Sequence, residues 1–141
     1  MKLTKKKIIP LSLCIIMLLF TFAIPASARA SAYFSYTNVY ANDIGNGTIS
    51  IKIHVLGTGT MQQIGATQVT VYEEQSDGSY DPVCTYTRDN YYPSMISYNR
   101  ASHLSYVTHY GTPGKSYYAV CAFYAKNVNG SQTKWSTSNI T

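Results

Sequence analysis

The sequence predicts an all-β domain over residues 31–141, and three features of that segment predict it. Residues 48–55 alternate apolar and polar side chains at period two, which is typical of a half-buried strand. β-Branched and aromatic residues dominate, and turn signals recur about every eight to twelve residues. Seven short strands at that spacing predict a β-sandwich of about seven strands.

Each strand is placed by alternation and by the turn that ends it. Ile49, Ile51, Ile53 and Val55 lie on one face of the clearest strand, and Asn46-Gly47 before it favours a tight turn. The predicted strands are residues 33–40, 48–55, 67–74, 83–87, 104–110, 116–125 and 134–140. Residues 89–102, from Asp89 to Ser102, are predicted to form a long loop that crosses between the two sheets.

The first thirty residues have the layout of a secretory signal peptide. A basic head with Lys2 and Lys5 to Lys7 precedes a mostly apolar run over 8–24, and Ala26-Ser27-Ala28-Arg29-Ala30 offers two overlapping Ala-x-Ala cleavage sites. An uncleaved membrane anchor is the competing interpretation. The small residues favour cleavage, so we expect a signal peptide at 1–30 and a single domain at 31–141 that is secreted without a stable membrane anchor.

Removal of the signal peptide changes the charge of the protein. The whole chain carries eleven Lys and Arg and a formal net charge of +5. Five of these eleven lie before a cut after Ala30, and the remaining six balance the six Asp and Glu. Because a nucleic-acid binder needs a basic stripe to displace counterions from phosphates, nucleic acid is not an expected partner.

No motif in the chain indicates catalysis. There is no nucleophile elbow, phosphate loop or zinc-binding His-Glu-x-x-His sequence. His103 and His109 lie six residues apart, roughly 20 Å in an extended strand, which is too far for one zinc ion. We expect these two and His54 at the surface or the rim. The sequence therefore predicts no catalytic residue, cofactor or metal site, and a protein that is not an enzyme.

Cys84 and Cys121 are the two cysteines of the secreted part. An even pair in an oxidising compartment usually bridges, so a disulfide is predicted. The bridge requires Cys84 to come from the sheet that faces Cys121. If the two lie two strands apart in one sheet, they cannot close.

Tyrosine is the one compositional excess, since all 14 follow the signal peptide. Tyrosine combines a rigid apolar ring with a polar tip, which suits recognition surfaces and also cross-strand pairs that stiffen a sheet. Both interpretations remain open. The predicted binding surface comprises Tyr91, Tyr92, Tyr98, Arg100 and Trp135. Met95 belongs to the same predicted loop.

The segment Pro113-Gly114-Lys115-Ser116-Tyr117, followed by the strand 118–124, resembles the turn into strand F of fibronectin type III domains, which are immunoglobulin-like sandwiches. The resemblance implies that Tyr117 is the corner tyrosine, whose hydroxyl bonds back to the backbone. The secreted part also resembles small secreted proteins of Gram-positive bacteria grouped as a domain of unknown function. Residues 45–48, 69–72 and 77–80 carry that likeness together with 114–118.

These features lead to two functional hypotheses. The first is a secreted, non-catalytic binding module for extracellular protein or glycan. The second is a small secreted antagonist of bacteriocin type, although a net charge of zero does not favour attraction to anionic membranes.

Overall fold

The computed structural model describes residues 31–90 and 93–141, so the predicted signal peptide lies outside the described residues. Strands account for 74% of the described part. They are β1 (Phe34–Gly45), β2 (Thr48–Glu74), β3 (Tyr80–Thr87), β4 (Ile96–Tyr110), β5 (Tyr117–Asn127) and β6 (Gly130–Thr137). A short 3-10 helix, Pro93–Met95, leads into β4. No helix among the described residues has the length and hydrophobicity needed to cross a bilayer.

The all-β prediction is confirmed, and the six strands form one antiparallel sheet built around β2. The first half of β2 pairs with β1 on one side and with β4 on the other. The second half of β2 pairs with β3 and β5, and β6 adds to β5. A register shift in the β2–β4 ladder between Leu56 and Met61 marks the irregularity between the two halves.

The structure has six strands where the sequence predicted seven, and β1 and β6 also have other bounds than the predicted 33–40 and 134–140. Two differences are large. The strands predicted at 48–55 and 67–74 are parts of the single 27-residue strand β2. The long loop predicted from Asp89 to Ser102 is wrong beyond Met95, because β4 already begins at Ile96 and pairs with Gly65. Residues 98–102 of β4 are all exposed, so this part of the strand has no alternation of apolar and polar side chains from which it could be predicted.

One hydrophobic core serves both halves of the sheet. Ile51 and Ile53 come from the first half of β2, and Val69 and Val71 from the second half. Tyr117 and Phe123 of β5 are the largest fully buried side chains in the same cluster. Because both ends of one strand bury the same cluster, the sheet curls over itself, and bulges permit such a bend.

A side chain joins β1 to the residues that follow β6. The Asn139 amide donates to the carbonyl of Ala41 at 2.8 Å, and the Ala41 N–H donates to Asn139 Oδ1 at 2.9 Å. This pair of bonds satisfies the backbone of Ala41 as a neighbouring strand would. Ser31 and Gln132 add a second link between the two ends of the described domain, at 2.6 Å.

Candidate functional site

The outer face of β1, the first half of β2 and β4 is rich in exposed tyrosine, and we call it the tyrosine face. Side chains of alternate residues point away from the core here, because Ile49, Ile51, Ile53 and Val55 occupy the other parity of β2. The tyrosine face is defined by Tyr36, Tyr40, Lys52, His54, Tyr106 and Tyr110.

The rings of this face are open to solvent. Tyr40 is 48% exposed, Tyr106 55% and Tyr110 79%. Tyr40 and Tyr106 lie on the two strands that flank Lys52, in register with it on either side. Leu104, in register with His54, adds a further exposed apolar side chain. Five of the eleven large apolar side chains that are exposed in the described part therefore share one sheet face.

Polar groups lie between these rings. Asn38 is in register with His54, and Asn42 with Ser50. The His54 ring packs edge-on against Tyr36, with 5.3 Å between centroids. Because the rings and the polar groups alternate on a rigid sheet, this face can contact both apolar and hydroxylated parts of a ligand without first ordering a loop.

A second tyrosine cluster, on the outer face of the other half of the sheet, is structural. Tyr72 and Tyr118 are directly paired across β2 and β5, and their rings stack at 4.8 Å with an interplanar angle of 5°. Tyr80 packs on Tyr118 at 5.0 Å. These rings are half-buried by one another, so they are the cross-strand pairs that the sequence left as one explanation of the tyrosine content.

The structure separates Trp135 from Tyr98 and Arg100, the other described members of the predicted binding surface. Tyr98 is 62% exposed on β4 and pairs with Gln63, whereas Trp135 is 57% exposed on β6 and pairs with Ala122. β2 and β5 separate the two. Arg100 is exposed on β4 opposite Met61.

The rest of the predicted loop is divided between the core and the part of the chain that is not described. Tyr91 and Tyr92 lie outside the described residues. Met95, which the sequence placed in the exposed loop, is 1% exposed and belongs to the core. The binding surface predicted around this loop therefore loses one of its apolar side chains to core packing.

The prediction that all three histidines lie at the surface or the rim is wrong for two of them. His103 is buried between two hydroxyls, with Nδ1 2.9 Å from Ser97 Oγ and Nε2 2.8 Å from Ser105 Oγ. His109 is buried with Nδ1 2.9 Å from the hydroxyl of Tyr86. Burial lowers the pKa of both imidazoles, and for His109 the nearby Glu73 opposes this effect.

The hydrogen bonds of His103 account for both of its ring nitrogens. Ser97 and Ser105 are the partners, so the ring is satisfied as a buried polar group. A cavity of about 70 Å³ is lined by Asp43, Lys115 and Tyr117, and neither His103 nor His109 is among its lining residues. Within residues 31–90 and 93–141, no group of three or more His, Cys, Asp or Glu is arranged to hold a metal ion.

The predicted disulfide is wrong in this structure, since Cys84 and Cys121 are both free. Cys84 pairs with Val71 on one side of β2, and Cys121 pairs with Val69 on the other side. Two strands of one sheet that flank a third lie about 9.5 Å apart, which exceeds the reach of a disulfide. Burial also raises the pKa of the Cys121 thiol to about 12, so this thiol is unreactive.

Tyr117 makes the backbone bond that a corner tyrosine is expected to make. Its hydroxyl accepts from the Thr112 N–H at 2.6 Å and donates to Glu73 Oε2 at 2.7 Å. The ring also packs edge-on against His109 at 5.6 Å. One hydroxyl thereby connects the turn before β5 to the end of β2.

We expect Tyr117→Phe to lower the free energy of unfolding by about 2 kcal/mol, because the change leaves the Thr112 N–H without its acceptor and removes the hydrogen bond to Glu73 Oε2. Urea unfolding measures this loss. Tyr118→Phe is the matched control, since its ring stacks on Tyr72 in a half-exposed position. An equal, small effect of both changes would contradict a structural role for the Tyr117 hydroxyl.

No protein family, curated protein or solved structure matches this chain. The two resemblances noted in the sequence thus gain no support from known proteins. The proposed function therefore rests on the geometry of the described residues.

The sequence prediction missed the tyrosine face, although a signal for it is present. Tyr36 and Tyr40 lie four residues apart, as do Tyr106 and Tyr110. An even spacing in a strand places both members of a pair on one face. The two pairs of tyrosines come together because β1 and β4 both pair with the first half of β2. Neighbouring residues in the sequence do not indicate this strand pairing.

Proposed function

We propose that this chain is a secreted, non-catalytic binding module for an extracellular ligand, protein or glycan, and that the tyrosine face is its binding surface. The observation that carries the proposal is the concentration of exposed tyrosine on one rigid three-stranded face. Soluble proteins seldom expose contiguous apolar surface of this kind without a partner for it.

We also propose that the fold is an immunoglobulin-like β-sandwich. In such domains strands A, B, E and D lie in one sheet and C, F and G in the other, and some members add C′ to the second sheet. The order β1-β2-β4 in one half of the curled sheet and β3-β2-β5-β6 in the other supports this assignment, with β2 serving as both B and C. The bond from the Thr112 N–H to the Tyr117 hydroxyl supports it further.

The proposed secretion rests on the sequence of residues 1–30. The tyrosine face is suited to binding, because a rigid sheet holds tyrosine rings that lose little side-chain entropy when a ligand binds. The side chains that define the face lie outside the core cluster, so they contribute little to folding and are available to a ligand.

Replacement of both Tyr40 and Tyr106 by serine is expected to abolish capture of the ligand while leaving the melting temperature nearly unchanged. Both residues are about half exposed and neither belongs to the core cluster, so about half of the surface of each is free for a partner. The measurement is a pull-down by the immobilised domain, residues 31–141, from envelope material of the producing cells, followed by analysis of bound protein and sugar.

Tyr98→Ser is the matched control, because Tyr98 is 62% exposed on β4 but belongs to the loop-centred surface predicted from the sequence. Loss of capture with Tyr98→Ser and full capture with the Tyr40→Ser, Tyr106→Ser variant would move the site away from the tyrosine face. Equal capture by all three proteins would refute the proposed function.

A further inference from the structure

We infer that the ligand of the tyrosine face is an acidic polysaccharide whose sugar rings carry carboxylates. This inference rests on the proposed function and names the class of ligand. It is carried by a lone cation at the centre of the face, by the aromatic rings on either side of it, and by amide groups that have no partner among the described residues.

The cation is Lys52, which lies midway across the face. It is in register with Tyr40 on β1 and with Tyr106 on β4, so the backbone of each tyrosine is one strand spacing, about 4.8 Å, from the lysine backbone. Within the described part of the chain, Lys52 forms no salt bridge, since the ion pairs there are Arg88–Asp89 and Lys115–Glu73. The ammonium group is therefore available to an anion.

The distribution of acidic residues makes this face electropositive. Five of the six acids lie between Glu73 and Asp89, on the end of β2 and around β3. The sixth, Asp43, accepts a hydrogen bond from the Gly45 N–H at the end of β1. None of the six defines the tyrosine face, so the charge of Lys52 is not offset locally and complements an anionic ligand.

The tyrosine rings favour a ligand that contains sugar rings. The C–H faces of pyranose rings are apolar and flat, so they pack on tyrosine rings and bury apolar area. A glycerol phosphate chain is anionic as well, but it offers no ring to Tyr40 and Tyr106. A single lysine among four tyrosines also suits a monoanionic carboxylate on alternate or occasional sugars better than a dense row of phosphates.

Amides on the same face suit the hydroxyl groups of a sugar. The side chains of Asn38 and Asn42 on β1 make no hydrogen bond to any other residue that the structure describes, and neither does that of Ser50 on β2. Each amide offers two donors and one acceptor. A protein partner with an apolar centre would leave these groups buried without partners, which costs free energy, whereas sugar hydroxyls satisfy them.

The test uses the domain 31–141 with three soluble polymers: polygalacturonate, the neutral polymer hydroxyethyl cellulose, and a lipid-free glycerol teichoic acid. Affinity electrophoresis and calorimetry measure binding to each. We expect binding to polygalacturonate that weakens as salt is added, because ions screen the exposed lysine, and much weaker binding to the other two polymers. Lys52→Met, which keeps the apolar stem and removes the charge, is expected to weaken binding about tenfold.

Lys134→Met is the matched control, because Lys134 is exposed on β6, away from the tyrosine face, and should leave binding unchanged. Equal binding to the neutral polymer, no effect of Lys52→Met, preference for teichoic acid, or capture only of a protease-sensitive envelope component would each overturn the acidic polysaccharide. In each of these cases, loss of binding in the Tyr40→Ser, Tyr106→Ser variant would still leave the proposed function standing. If that variant binds as the wild type does, the proposed function itself fails.

Discussion

Gly65→Ala is expected to lower the free energy of unfolding by about 3 kcal/mol or more, and so to lower the melting temperature by more than about 10 °C. Gly65 has a φ of +151°, which side chains rarely adopt. A Cβ at this position would overlap the carbonyl oxygen of Met95 and approach Cα of Ile96 to 3.0 Å. These atoms belong to the backbone, so no rotamer change relieves the contact.

The position explains why the effect is large. β2 pairs at Gly65 with Ile96 of β4 on one side and with Tyr124 of β5 on the other. Met95, whose carbonyl would be displaced, is buried in the core. A shift of this backbone would therefore disturb both ladders and the packing of Met95 together.

Alanine substitutions at two other glycines distinguish the effect of the steric clash at Gly65 from the strain of a positive φ. Gly78 has a φ of +81°, and a Cβ added there would meet no atom within 4 Å, so Gly78→Ala should cost only the backbone strain, about 1 kcal/mol. A Cβ at Gly59 would meet no neighbour within 4 Å either, and its φ is not positive, so Gly59→Ala should be near neutral. A thermal melt of the three variants gives the comparison, and a Gly65→Ala protein as stable as Gly59→Ala would contradict the close approach of Met95.

Local sequence signals predict most of the strands, because a strand that buries one face leaves a period-two pattern. The pattern over 48–55 and the Asn46-Gly47 turn before β2 needed only neighbouring residues for their interpretation. The continuation of β2 through residues 56–66 is different. Its glycines and threonines at 57–60 resemble a connection. The strand continues across them because Gly57 still pairs with Phe34 of β1 and Met61 resumes the pairing with β4 at Arg100.

The errors of the sequence analysis share this origin in long-range pairing. The distance between Cys84 and Cys121 depends on whether β2 lies between their strands, and the sequence offered both answers. His103 and His109 have polar neighbours along β4, which suggests exposure, yet Tyr86 of β3 and Tyr117 of β5 approach His109 from other parts of the chain. The tyrosine face arises in the same way, from the pairing of β1 and β4 with one half of β2.

The free energy of unfolding is expected to fall as the pH is lowered below 6.5, and the two buried histidines are the cause. Burial lowers the pKa of His103 and of His109 from the ordinary value of 6.5, so both stay neutral in the folded protein where the unfolded chain takes up protons. The unfolded state then binds more protons than the folded state, and stability decreases with falling pH. The loss ends once the pH is below the folded-state pKa values.

The groups around each imidazole determine how much of the loss of stability comes from His103 and how much from His109. His103 contacts the hydroxyls of Ser97 and Ser105, which carry no charge to offset its burial. For His109 the negative charge of Glu73 stabilises the protonated ring in part, while Tyr86 and Tyr117 surround it without charge. Each histidine can contribute at most about 1.4 kcal/mol per pH unit, and we expect the larger share from His103.

Urea unfolding between about pH 7.5 and 5 measures this dependence above the range in which most carboxylates titrate. His103→Gln and His109→Gln, each of which keeps polar groups for its hydroxyl partners, should flatten the slope, the first more than the second. His54→Gln is the control, because His54 lies on the tyrosine face and is partly open to solvent, outside the buried surroundings of His103 and His109. A slope that is the same in all four proteins would mean that His103 and His109 are not the groups whose protonation destabilises the fold.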